Sequence, residues 1–362
     1  MKTPTIVRVL GTRPQFMQAP ALHDAFKRRG VTEVLIHTGQ HYDDSMSSVF
    51  FRDLGLPDPV ANFSVGSHSQ GVATGLMLGA IEGFLLENRP DALLVDGDTN
   101  STLAGALAAA KLHIPVIHVE AGLRDFDRRR PEELNRIMSD HLADLNLAPI
   151  PRAMENLAKE GLAEKSKLTG DLLCDCFVLN RSKANHQVRQ ELGVEGTNYH
   201  LMTLHRPENT DLSELDRFVE IFEALQVIGV PVIFPVHPRT LPALEAAKAK
   251  FGSLGVVRPI NPVGYLDMLG LIEGASCVFT DSGGLPREAA WSGTKVVMLF
   301  RVDTWHDMLE NGWAEIGKTD KDSILDAYNR ARPAGQPAVD FFGGGKAADR
   351  VADCVLHLLA AG

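Results

Sequence analysis

VDGDTNSTLAGALAAAKLHIPVIHVEAGLRDFDRRRPEELNR, residues Val95–Arg136, decides the fold. The run that leads into it, ALLVDGD from Ala92, reads as a buried parallel strand ending in an acidic turn. Thr99 to Leu112 is rich in Ala and Leu behind a polar start, the pattern of a helix capped near Thr99. IPVIHVE is a second strand, carrying His118 and Glu120 at its carboxyl end. PEELNR opens another helix, with Pro131 suited to the first turn and Glu132 and Glu133 favoured by the helix dipole. Strand–helix–strand units hold ligands outside the carboxyl ends of their strands. Asp98, Glu120 and Glu132 are therefore expected in one cleft, where clustered acids suit proton transfer.

The rest of the chain fits that unit twice. Its 362 residues are enough for two domains with real cores. The composition, 44% apolar and 23% charged, is that of a soluble globular protein. A formal charge of −10 argues against nonspecific binding to nucleic acid or anionic membrane, while leaving room for one local basic pocket. Cys174, Cys176, Cys277 and Cys354 form neither a metal-type pair nor a disulfide framework, so reduced thiols are expected. TIVRVLGT goes directly into a strand pattern without a signal-peptide core, and the apolar runs are too short to span a bilayer. A cytoplasmic location is the expectation.

Strand-like and helical runs alternate throughout, which predicts an α/β architecture with parallel sheets. The first half offers Ile6–Leu10, Glu33–His37, Ala92–Asp96, Val116–Val119 and Leu145–Ala148. The second offers His200–Leu204, Val232–Pro235, Val256–Ile260, Cys277–Thr280 and Lys295–Leu299. Two doubly wound, Rossmann-like domains facing a cleft are expected, at 1–170 and 171–345. The run Gly343–Lys346 reads as a hinge, and a last helix at 346–362 is expected to return to the first domain.

Several further motifs sit at strand ends, and each also has a bland reading. GTRPQF (Gly11–Phe16) offers a tight turn and an arginine for a diphosphate, or is an ordinary strand–helix loop. It is not the G-x-G-x-x-G fingerprint of nicotinamide binding. TGQHYDD (Thr38–Asp44) has the same placement. LHRPEN (Leu204–Asn209) and PVHPRT (Pro235–Thr240) put His-Arg pairs at successive strand ends, either for proton and anion contacts or as helix-opening loops. TDSGGLPREAA (Thr280–Ala290) offers backbone N–H groups and a hydroxyl to phosphate, with Glu288 placed to accept from ribose hydroxyls. Its glycines also suit a plain tight turn. The acids Asp98, Glu120 and Glu132 could equally cap helices or pair with Arg124 or Arg136. No H-x-x-x-H or D-x-D spacing supports a metal site.

In this order the motifs resemble the non-hydrolysing UDP-N-acetylglucosamine 2-epimerases. The likeness runs from GTRPQF through TGQHYDD, GDTNSTLAGALAA, HVEAGLR, RPEELNRIMSDH, LHRPENT, FPVHPRT and TDSGG to ENGW at Trp313. The GTRPQF and TGQHYD forms resemble the branch handling UDP-GlcNAc and diacetamido-uronic acid sugars for surface polysaccharides. The resemblance implies the glycosyltransferase-B arrangement, a homodimer and no cofactor, with UDP itself held as a bound intermediate. It assigns catalysis to Asp98, Glu120, Glu132 and His205. It assigns UDP or substrate binding to Arg13, Gln18, Arg136, Ser282, Gly283, Gly284 and Glu288. A second UDP-GlcNAc, bound as activator, would involve Gln40, His41, Gln70, Arg206 and His237. The implied reaction is anti elimination of UDP to a 2-acetamidoglucal followed by re-addition, because carbon 2 has no adjacent carbonyl to acidify its proton.

Three positions depart from the family pattern. Gln18 stands where lysine is usual, the segment around Trp305 is one residue short and lacks an acid, and Pro286 replaces glutamine. His306 is a candidate for compensating charge. Three alternatives stay open at this stage: a hydrolysing relative releasing UDP and free sugar, a glycosyltransferase, and a catalytically weakened UDP-sugar-binding protein.

Overall fold

The computed structural model describes residues 3–40, 56–66, 68–300, 306–318 and 320–361, without the side chains of Arg13, Phe251 and Ala361. Two compact units are present: Met1–Leu179 with Phe341–Gly362, and Asn180–Asp340. The first holds a seven-stranded sheet built from β1 (Thr5–Leu10), β2 (Thr32–His37), β3 (Ala61–Asn62), β4 (Ala92–Asp96), β5 (Val116–Val119), β6 (Leu145–Ala148) and β7 (Ser166–Leu168). The second holds six strands: β8 (His200–Thr203), β9 (Val232–Pro235), β10 (Val257–Ile260), β11 (Cys277–Thr280), β12 (Lys295–Met298) and β13 (Glu315–Ile316).

Strand order is β3-β2-β1-β4-β5-β6-β7 in one sheet and β10-β9-β8-β11-β12-β13 in the other. All pairings are parallel. Both orders reverse direction once, between β1 and β4 and between β8 and β11, as in doubly wound Rossmann-like sheets. The chain is thus two Rossmann-like α/β units.

The first sheet is covered on both faces, which explains its unbroken apolar runs. Ile6, Ala92 and Leu94 face one cluster with Phe26, Val351 and Val355. Val7, Val9, Leu93 and Val95 face another with Met77, Ile81 and Ala104. Buried Arg8 lies among them, bonded through Nε and Nη2 to both Asp96 oxygens at 2.8 Å. In the second unit Phe218, Phe222, Phe234 and Phe279 belong to one apolar cluster.

The expected boundary near Gly170 moves to Asn180. The stretch after Gly170 is not irregular but the helix Leu172–Arg181, and its Leu172, Cys174 and Phe177 are buried. The helix Ala347–Ala361 packs on the first sheet. Asp175 accepts its opening amides, Ala347 N–H at 2.9 Å and Ala348 N–H at 2.7 Å. Gly343–Lys346, expected as a hinge, lies within the first unit and is a turn backed onto Gly170.

Candidate active site

In the first unit several candidate side chains gather at the strand reversal. The turn after β4 needs Gly97 in a left-handed conformation, φ +67°. The helix Asn100–Lys111 then starts on Thr99, whose hydroxyl accepts from Thr102 N–H, and Thr102 Oγ1 donates back to the Asp96 carbonyl at 2.6 Å. Asp98, between turn and helix, keeps 36% of its side chain exposed while Arg136 Nη2 donates to its Oδ2 at 2.6 Å. Glu120 follows β5 with φ +66°, a strained conformation for a side-chain-bearing residue. That backbone brings its carboxylate over Gly97: a β-carbon there would lie 3.9 Å from Glu120 Oε2. Gln18 Nε2 donates to the same oxygen at 2.8 Å. Asp98's turn, Glu120 and Gln18 thus meet at one place.

Arg136 is expected to bind UDP, yet both its terminal nitrogens are turned onto protein carboxylates. Nη1 reaches Glu133 Oε2 at 2.7 Å and lies 3.6 Å from Asp125. Burial opposes its charge, but Asp98, Glu133 and Asp125 together hold its pKa above the ordinary value. Arg136 therefore orients Asp98. Glu132 is exposed on the first turn of the helix Pro131–Leu142, whereas its neighbour Glu133 is buried. Glu133 also accepts from the amides of Asp125 and Phe126 at 3.1 and 3.0 Å.

Two residues assigned to an activator lie on the start of the Asn100–Lys111 helix. Gln40 Oε1 accepts from Ser101 Oγ at 2.7 Å and its amide at 3.2 Å. Gln70 Oε1 accepts from Asn100 Nδ2 at 2.6 Å. His41, residues 301–305 with Trp305, and the Arg13 side chain lie outside what the structure describes. Gly11 is required for a reason other than a tight turn: a β-carbon there would collide with Ser101 Oγ and Thr38 Oγ1.

The second unit repeats the placement at the ends of β8 and β11. Asp281 is buried and accepts from the amides of His205 and Arg206 and from Asn209 Nδ2 at 2.9–3.1 Å. His205 Nδ1 lies 3.0 Å from Asp281 Oδ1, with 42% of the His205 side chain exposed. Burial would raise the Asp281 carboxyl, but bonding to and charge on His205, with the Arg206 amide and Asn209, hold it below the ordinary carboxylate value. Because a carboxylate only accepts, it fixes the proton on His205 Nδ1. The His237 ring lies 6.0 Å from that of His205. Arg206 Nε donates to the Asp281 carbonyl at 2.7 Å, its guanidinium 5.0 Å over Phe300. Ser282–Gly284 form the turn before the helix Leu285–Ser292, which holds Glu288 on a buried face. Pro286 sits in that helix's first turn, where its missing N–H costs nothing.

A profile of UDP-N-acetylglucosamine 2-epimerases matches residues 24–356. The chain belongs to this family. A UDP-N-acetylglucosamine 2-epimerase homolog of Methanococcus maripaludis is 39% identical, over 98% of this chain and 99% of its own. The UDP-2,3-diacetamido-2,3-dideoxy-D-glucuronate 2-epimerase of Pseudomonas aeruginosa is 37% identical, again over 98% and 99%. The crystal structure of Methanocaldococcus jannaschii UDP-GlcNAc 2-epimerase, in complex with UDP-GlcNAc and UDP, superposes with a TM-score of 0.87 at 35% identity. That match covers 99% of this chain and all of the other.

Within this epimerase scaffold, sequence reasoning gave no site role to Asp281, Glu133, His118 or Asp140. Asp281 carried a signal, since it begins the DSGG turn already singled out. Glu133 and Arg136 stand at helical i,i+3 spacing, which also marked them. Among the described residues, no helix is long and apolar enough to cross a membrane, and no disulfide joins the four cysteines to one another.

Proposed function

We propose that this chain is a non-hydrolysing UDP-sugar 2-epimerase converting UDP-N-acetylglucosamine to UDP-N-acetylmannosamine. The supporting observation is the meeting of the Asp98 turn, Glu120 and Gln18 at the strand reversal of a chain in this family. One carboxylate takes the proton from carbon 2, the C1–O bond breaks, and UDP leaves with the electron pair as the C1–C2 double bond forms. UDP then re-adds at carbon 1 while a second acid delivers a proton to the opposite face of carbon 2. We assign these transfers to Asp98 and Glu120, with Glu132 in support.

Arg13 and the Ser282, Gly283 and Gly284 turn are assigned to the diphosphate, where charge develops as UDP departs. Glu288 is assigned to the ribose. His205, its Nδ1 proton fixed by Asp281, donates to the diphosphate from Nε2–H when the ring carries both protons. The reaction is internally redox-neutral and this scheme uses no cofactor. A second UDP-GlcNAc as activator would draw on Gln40, His41, Gln70, Arg206 and His237. We further propose a cytoplasmic homodimer serving polysaccharide synthesis, joined through the apolar outer face of the helix Gln70–Asn88.

The 37% identical Pseudomonas relative favours one second reading, a 2,3-diacetamido-uronate substrate. Incubating the protein with each UDP-sugar in heavy water, followed by NMR, decides the matter. Deuterium at carbon 2 with a manno UDP-sugar supports the epimerase. Free sugar with UDP indicates hydrolysis, and an unlabelled, unchanged substrate removes the proposal. Asp98→Asn and Glu120→Gln are each expected to abolish the exchange.

A further inference from the structure

We propose that His118 is a buried, permanently charged imidazolium that positions the two acidic turns carrying Asp98 and Glu120. It rests on the epimerase reading of those acids and adds a residue that touches no substrate. His118, on β5, is fully buried. Its Nδ1 lies 2.7 Å from Asp140 Oδ1, and its Nε2 lies 2.7 Å from the Gly97 carbonyl oxygen. Both partners only accept. A neutral imidazole has a single N–H and would aim a lone pair at one of these oxygens, so both nitrogens must carry hydrogen.

The surroundings supply the compensation such a charge needs. Asp140, from the helix Pro131–Leu142, faces His118 with one oxygen. Its other oxygen accepts from Gly122 N–H at 3.1 Å and lies 2.7 Å from Arg124 Nη2. Arg124 in turn grips both oxygens of Glu160 at 2.8 and 2.7 Å. Asp96, on β4, also acts on the ring by charge and is itself paired with Arg8. Asp140 also acts by charge on Lys165, after burial and Asp144. Burial works against the charged ring, yet Asp140, the Gly97 carbonyl and Asp96 raise its pKa above the ordinary histidine value. Burial likewise works against the Asp140 anion, and His118 and Arg124 hold it below the ordinary carboxylate value.

The geometric consequence is specific. Gly97 (φ +67°), Glu120 (φ +66°) and Gly122 (φ +83°) are all left-handed, and such conformations persist only where their surroundings over-determine them. His118 holds the Gly97 carbonyl and, through Asp140, the Gly122 amide. One ring thereby ties the Asp98 turn to the turn that follows Glu120.

The test begins on the full-length wild-type protein, with 15N-labelled histidine and long-range 1H–15N NMR. Both His118 nitrogens are expected to remain protonated as pH rises through and beyond the ordinary histidine titration. His118→Gln should lower kcat by about 100-fold with KM little changed, the signature of misplaced catalytic groups. Asp140→Asn should let the ring titrate, so that kcat gains an alkaline limb following the NMR titration of His118. A bare ring nitrogen at neutral pH overturns the proposal, as does His118→Gln with wild-type kcat or Asp140→Asn with no new limb. The NMR arm needs no turnover, so it fails separately from the epimerase reading.

Discussion

Gln18 Nε2 donates to Glu120 Oε2 at 2.8 Å from a buried position in the helix after β1. A lysine at this position would place a full charge against that carboxylate; Gln18 supplies a neutral amide instead. A hydrogen bond to a charged group contributes about 1.5–3 kcal/mol. Gln18→Leu should therefore reduce kcat/KM by about 10- to 100-fold, the equivalent of that loss. Gln18→Lys should tighten UDP binding and move the acidic limb of the kcat/KM profile to lower pH, because a cation keeps Glu120 ionised further into acid. Steady-state profiles on both variants check this, and wild-type curves from both would remove Gln18 from the site.

Asp281 makes stability depend on acid in the second unit. Its folded carboxyl lies below the ordinary value. The stabilisation is therefore present above the unfolded pKa, about 3.9, and is lost as pH falls through the folded value. Asp281→Asn should cost about 3 kcal/mol at pH near 7, since an amide cannot accept from all the donors now facing the carboxylate. The gap to wild type should shrink as pH is lowered below about 4. Denaturant unfolding at the two pH values measures both terms, and an equal gap at each would contradict the assignment.

Asp175 has the opposite sign. Burial pushes its carboxyl up to about 6, against the two amides of Ala348 and Ala347 that favour the anion. A carboxyl raised on folding binds its proton more tightly in the native state, so this contribution is full below about 3.9 and fades as pH rises through about 6. Asp175→Asn should flatten the fall in Tm between about pH 4 and pH 7. Thermal unfolding across that range reads it, and an unchanged slope would show the carboxylate to be charged throughout.

What the sequence exposed follows from burial on two faces. Strands such as Ala92–Asp96 and Cys277–Thr280 are covered above and below, so they appear as unbroken apolar runs. Ala61–Asn62, Ser166–Leu168 and Glu315–Ile316 were missed because two- or three-residue strands at sheet edges have no such run. The strand-end acids were legible for the same topological reason. The pairings behind the site were not: Asp140 is 22 residues from His118, and Asp281, though its turn was singled out, is 76 from the His205 amide it accepts from. Such pairings exist only once the sheet is assembled.

The proposed dimer has a local basis in the helix Gln70–Asn88. Ala73, Met77, Ile81 and Leu85 bury one face, yet Val72, Leu76 and Leu86 stand exposed on the other. Gly79 and Gly83 lie between them with open space where a side chain would be. A helix apolar all round ordinarily has both faces covered, and the small residues allow a second backbone to approach closely. Leu76→Arg changes no contact of the buried face, so the variant should fold with wild-type circular dichroism. Sedimentation should then show the wild type as a dimer and Leu76→Arg as a monomer. A monomeric wild type would overturn the dimer, and a variant that still dimerises would place the partner surface elsewhere.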